Sequence, residues 1–250
     1  MTRKPQARAP IGYEDIVPLQ KKHRVLLPGG ATPAFCRKTN ALALCAAEFV
    51  AAGRDYPIVF ASADGGQSFA PVAVFGFAAD SNLFVDGAGE WESGRYVPAY
   101  VRRFPFCVSG QRVVCVVKSY VDKGGVALHD KAGRPTAQWQ ALDALISSYE
   151  ADLAATARFC TALLRLGLLE SFVAEVKDPG VKVSGMARVS EARLRALPPI
   201  QLKALAEKGW LGLIYAHLHS LDGFLRLAAR LKARKAAGRG SRPSRRSRPR

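Results

Sequence analysis

The sequence predicts an α+β protein, with a mostly antiparallel sheet from the N-terminal half packed against C-terminal helices. Two observations carry that expectation. Short β-branched and aromatic runs, each bounded by Gly- or Pro-rich turns, dominate the first half of the chain, whereas long stretches of the second half repeat apolar residues every three or four positions. Strands mostly early and helices mostly late, with no repeat of solenoid length, suit an α+β arrangement rather than an alternating one.

Taken in order, residues 1–12 read as a flexible terminus, and Ile16 to Leu27 as short extended pieces closed by Pro28-Gly29-Gly30. The Ala- and Leu-rich stretch that follows places Leu44, Ala47 and Val50 at helical spacing, with Gly53 as its C-cap. Tyr56 to Phe60 is β-branched and aromatic and predicts a strand, Pro57 being tolerable at its start. After the DGGQ turn, Pro71 to Phe77 and Asn82 to Asp86 predict two more strands of a meander. Val97-Pro98 and Phe104-Pro105 leave room for one or two helical turns between them. Phe106 to Val121 reads as a hairpin turning at Gly110, and its unalternating second half, Val113 to Val117, suits a central strand.

From Trp139 to Leu169 a single stripe (Leu142, Ile146, Tyr149, Leu153, Thr156, Cys160, Leu163) predicts one long helix ending near Gly167. Two strands then flank Asp178-Pro179-Gly180. A short helix from Glu191 to Leu197 and a long segment from Ile200, interrupted at Gly209, complete the fold, with Leu211, Ile214, Leu218, Leu221, Leu225 and Ala228 as its buried stripe. Residues 13–231 form the expected domain, and residues 232–250 a disordered Arg-rich tail.

That tail dominates the charge. The net charge is +17, and nine basic residues without an acidic one fall between Lys232 and Arg250, leaving 17 − 9 = +8 for the rest. The tail is either a solvated terminus or an anchor for an anionic partner such as nucleic acid or a membrane surface. It carries no aromatic on which a base could stack. No apolar run of about 18 residues predicts a membrane span. The N-terminus lacks the apolar stretch of a secretory signal, so the default expectation is a cytoplasmic protein. The five cysteines include no C-x-x-C pair; an odd count argues against a disulfide framework, and Cys107, Cys115 and Cys160 read as reduced core residues.

The residues that carry familiar chemistry are mostly missing. There is no G-x-S-x-G, H-E-x-x-H, Walker loop or dinucleotide fingerprint, so no catalytic residue, cofactor or metal is assigned. DGGQ and DGAGE read as turns, since no helix follows either to hold a phosphate. His217 and His219 lie two apart on an expected helix and point about 200° away from each other, so they cannot share an ion; core-edge and surface positions are expected for them.

The most unusual stretch is Asn82 to Phe106, NLFVDGAGEWESGRYVPAYVRRFPF. Arg102 and Arg103 sit in an apolar run, where an unpaired buried guanidinium would cost several kcal/mol. Consecutive residues of a short helix diverge by about 100°, so one arginine is expected to point inward to a carboxylate and the other outward. Glu48, Glu90 and Glu92 are the possible partners. Either the pair is structural, or it belongs to a binding site for an anionic ligand, with Trp91, Tyr96 and Tyr100 lining a cleft or simply filling core.

AAEFVAAGRDYPIVF, PVAVFGF, the Asn82–Phe106 stretch and GWLGLIYAHLHSLDGFLRL occur in the order and spacing of the SapC-like bacterial proteins, which the chain resembles over residues 14–231. The resemblance implies an accessory or binding role related to the bacterial surface layer, the envelope or nutrient uptake, with a protein, peptide or saccharide as partner. It supplies no catalytic residues to carry over. Two other classes stay open: an enzyme with a site near Arg102, Arg103 and Trp91, and an anionic-surface or nucleic-acid binder acting through the tail.

Overall fold

The computed structural model describes residues 10–122 and 124–240, without the side chains of residues 238–240. Antiparallel strands occupy mostly the N-terminal half and helices the C-terminal half, the α+β arrangement that the sequence predicts. The chain begins with β1 (Ile16–Pro18) and β2 (Arg24–Val25), then β3 (Ala41–Ala43), the short helix α1 (Phe49–Ala52), β4 (Ile58–Ala61) and β5 (Ala70–Val74). A four-residue helix, α2 (Ala99–Arg102), lies between the two prolines as expected, and β6 (Phe106–Val108), β7 (Val114–Val117) and β8 (Val126–Ala127) follow. The second half holds α3 (Ala137–Arg165), the hairpin β9 (Leu169–Val176) and β10 (Val181–Val189), then α4 (Glu191–Arg195), α5 (Pro199–Glu207), α6 (Trp210–Ser220) and α7 (Gly223–Gly240).

The described residues form three sheets. β7 is central in a three-stranded sheet of order β1-β7-β6, as its unbroken apolar run requires. The main sheet has the order β3-β5-β4-β10-β9, and β2 pairs with β8 alone. The late hairpin thus completes a sheet begun by early strands. α3 is defined by its sequence: Thr136 accepts a hydrogen bond from the Trp139 N–H at 3.2 Å as N-cap, and Gly167, at φ +64°, ends the helix. Its buried face is the predicted stripe, Ile146, Tyr149, Thr156, Cys160 and Leu163. All five cysteines are free and buried.

His217 joins helix to sheet. Its Nε2 accepts from the Val189 N–H of β10 at 3.1 Å and its Nδ1 donates to the Ile58 carbonyl of β4 at 2.9 Å, so one neutral tautomer satisfies both strands. Ser220, one turn on, accepts from the Ile58 N–H at 2.9 Å. Instead of sitting at the core edge, His217 is fully buried (0% exposed), and burial holds its pKa down to about 4. His219 is exposed, as expected.

Four expectations need correction. Ala41–Ala43 pairs with β5, so the helix starts later; Phe49 and Ala52 face the core, while Val50 of the expected stripe is 57% exposed. The apolar run of Asn82–Asp86, with Leu83, Phe84 and Val85 all buried, is spent on irregular packing, with a Val85–Trp91 bridge in place of a strand. The last long segment breaks at Leu221-Asp222, which rotates the following turn, so Phe224 and Leu227 are buried and Leu225 faces solvent. Finally, α7 carries on through Lys232 to Gly240: Lys232 pairs with Asp178, and Arg234 donates to the carbonyls of Asn82 (2.8 Å) and Val85 (3.3 Å). The rest of the expected tail, residues 241–250, and most of the expected flexible terminus, residues 1–9, lie outside the described residues.

Candidate functional site

The turn of α2 points its two arginines in different directions. Arg103, 5% exposed, enters the core and meets Glu150 of α3 at 3.6 Å, while its guanidinium lies 4.2 Å from the centre of the Tyr149 ring, 5.0 Å from that of Tyr13 and 5.2 Å from that of Tyr100. Three tyrosine faces and one carboxylate therefore offset the desolvation of this cation. Its Nε is buried without a hydrogen-bond partner among the described residues. The tyrosines respond to the same burial: the Tyr100 phenol is pushed up to about 12 by desolvation, with the Arg103 charge pulling the other way.

None of the three expected carboxylates pairs with Arg103. Glu48, 6% exposed, is satisfied by the N–H groups of Cys45 (2.9 Å) and Ala99 (2.7 Å) and by the Tyr96 hydroxyl (2.9 Å). It thereby ties the entry of α1 to the first turn of α2, where a negative charge is favoured. Glu90 accepts from Thr32, and Glu92 pairs with Arg95 and Arg230. Glu150 lies beside Tyr149 on the edge of the α3 stripe, where apolar periodicity alone does not single out a charged residue.

Arg102 is exposed. Its Nε donates to the Val97 carbonyl at 3.1 Å and an Nη2 N–H to the Tyr96 hydroxyl at 3.3 Å, so the guanidinium is held against the Tyr96 ring without a carboxylate of its own among the described residues. Trp91 is fixed through its indole N–H, which donates to the Tyr56 hydroxyl at 3.0 Å; that hydroxyl in turn donates to the Tyr96 carbonyl at 2.6 Å.

Arg102 and Trp91 both line a cleft of about 600 Å³. One wall is the Leu27–Pro33 loop, a second is Val97, Val101 and Phe104 around α2, and the third is the first three turns of α3, with Gln138, Ala141, Leu142 and Leu145. Of the eight residues singled out in the sequence, Arg102 and Trp91 reach the cleft. Tyr96 and Glu48 stand behind Arg102 as its support, and Arg103 and Tyr100 belong to the core behind α2. The α3 wall was overlooked, although Leu145 is an apolar residue off the helix's main stripe, which signals a second apolar face. The Pro28-Gly29-Gly30 turn signal marks only a chain break in sequence; in the structure Gly29 and Gly30 have positive φ, which lets the chain turn along the rim.

No curated protein and no solved structure matches the chain. Among the described residues no helix is long and apolar enough to cross a membrane. A family model described as SapC matches residues 20–227, including β4, β5, the Asn82–Phe106 stretch that builds α2 and most of the helices around it, so the chain belongs to the SapC family.

Proposed function

We propose that this chain is a non-catalytic binding protein, an accessory to envelope or nutrient-uptake functions, and that its ligand occupies the cleft beside Arg102. One observation carries the reading. The cleft has ligand-site dimensions and offers a fixed cation and an anchored indole, yet among the described residues its lining includes no His, Asp, Glu, Lys, Tyr or Cys to act as base or nucleophile. Thr32, its single hydroxyl, is already committed to Glu90 and to the Trp91 N–H. A guanidinium such as that of Arg102 offers N–H donors to hold an anion and no acceptor to take up a proton. The envelope context rests on the family's association with the bacterial surface layer, and we place the chain in the cytoplasm as a peripheral partner of that machinery.

The test is extraction of the protein purified from its native host, followed by mass spectrometry. A small molecule retained in stoichiometric amount by the wild type and lost in Ala141→Trp, which fills the cleft from the exposed side of α3, is the expected result. An empty wild type, or a ligand retained equally by the variant, refutes the cleft as the site. Fractionation of the host checks the placement: recovery with the exterior surface layer would contradict it.

A further inference from the structure

The chemistry of the cleft's lining narrows the ligand class, an inference that rests on the cleft being a binding site. Aliphatic groups dominate two of the walls, with Leu27, Val97, Val101, Leu142 and Leu145 facing the cleft alongside Phe104. Among the described residues a single formal charge enters, that of Arg102, and no carboxylate lines the space to neutralise it. The guanidinium is braced by the Val97 carbonyl and the Tyr96 hydroxyl, which use only part of its fork of donors. The remaining N–H groups suit a planar anion, and a carboxylate is the anion whose geometry matches that fork.

A saccharide fits this lining poorly. Sugar recognition needs a dense set of polar partners, because every hydroxyl buried without one costs free energy. Here the polar side chains are Thr32, Gln138 and Arg102, and the Thr32 hydroxyl already donates to Glu90 and accepts from Trp91. A multiply charged anion is equally disfavoured, since one cation faces an otherwise apolar surface.

We propose that the cleft binds an aliphatic monocarboxylate, a fatty acid, with its carboxylate on Arg102 and its chain along the Leu142 and Leu145 wall. A volume of about 600 Å³ is ample for such a chain. The Glu48–Tyr96–Arg102 relay presets the cation: Tyr96 donates to the buried Glu48 and accepts from Arg102, so the arginine is oriented before any ligand arrives.

Calorimetric titration of the full chain with decanoate, 1-decanol and maltotriose, each below any micellar concentration, tests the assignment. Decanoate is expected to bind about tenfold or more tighter than 1-decanol, the worth of one charge-assisted contact, and maltotriose not at all. Arg102→Gln is expected to erase the preference for the acid over the alcohol, and Ala141→Trp to abolish binding of both. Equal affinities in the wild type, or an unchanged preference in Arg102→Gln, overturn the carboxylate assignment while leaving the cleft as a site. Tight maltotriose binding, or no decanoate binding, also overturns it, and the extraction experiment then judges the cleft independently. Decanoate binding that survives Ala141→Trp places the ligand elsewhere and overturns both.

Discussion

Arg103 and Arg102 differ by one position in the chain and are expected to differ several-fold in their contribution to stability. Replacing Arg103 by Met keeps much of its length but strands Glu150. Breaking a buried pair by removing one partner costs about 3–5 kcal/mol. The Glu150 side chain is 34% exposed, so its stranded charge recovers some water and the cost falls toward the lower end. Loss of the guanidinium from the Tyr149 face, 4.2 Å away, adds about 1 kcal/mol, while removal of the unpaired Nε and the packing of the Met side chain offset a comparable amount. The net loss is about 3 kcal/mol. With a urea m-value near the upper end of about 1–3 kcal/mol/M for a chain of this size, the midpoint moves down by about 1 M. Arg102→Met removes only exposed contacts and is expected to cost well under about 1 kcal/mol, a midpoint change within about 0.3 M. Combining Arg103→Met with Glu150→Gln is expected to recover part of the loss, since the stranded carboxylate is gone. Equal midpoints for the two single variants, whether both shifted or both unshifted, would refute the division of labour within α2.

Two further expectations follow from buried contacts elsewhere. His217 has its pKa lowered by burial from 6.5 to about 4, so the unfolded chain takes up the proton first as pH falls; stability is complete above about pH 6.5 and is lost progressively down through about pH 4, by about 3 kcal/mol in all. Urea midpoints between pH 7 and pH 4 should show a shallower fall in His217→Gln than in the wild type, and parallel profiles would contradict the assignment. Ending the chain at Leu231 rather than at Gly240 removes the Arg234 bonds to the Asn82 and Val85 carbonyls, so a thermal midpoint lower by several degrees is expected, with Arg234→Ala reproducing most of it. An unchanged midpoint would show that the last turns of α7 contribute nothing to the fold.

Local rules made much of this protein legible. The stripe of α3 and its stop at Gly167 follow from helical periodicity and capping, which act within a few residues, whereas the Thr136 N-cap came only with the structure. The two prolines around α2 bounded it for the same reason, and the 100° step between neighbours foretold that Arg102 and Arg103 would part company. The family, too, was readable from the order and spacing of a few unusual blocks.

What the tertiary structure decided was partnership. Periodicity says that Arg103 needs an anion, but Glu150 lies far along the chain, and only the docking of α3 against α2 selects it over Glu48, Glu90 and Glu92. The same holds for β10, whose choice of β4 as neighbour is fixed by His217 bridging both strands, and for Asn82–Asp86, whose strand-like pattern is claimed instead by core packing beneath α7. The cleft is the clearest case, since its walls come from three separate stretches, each read on its own as a turn, a short helix or the start of a long one. A sequence pattern records which groups must leave water; which distant groups meet them there is set by how the elements pack, because desolvated charges and backbone groups accept only partners that the fold brings within bonding distance.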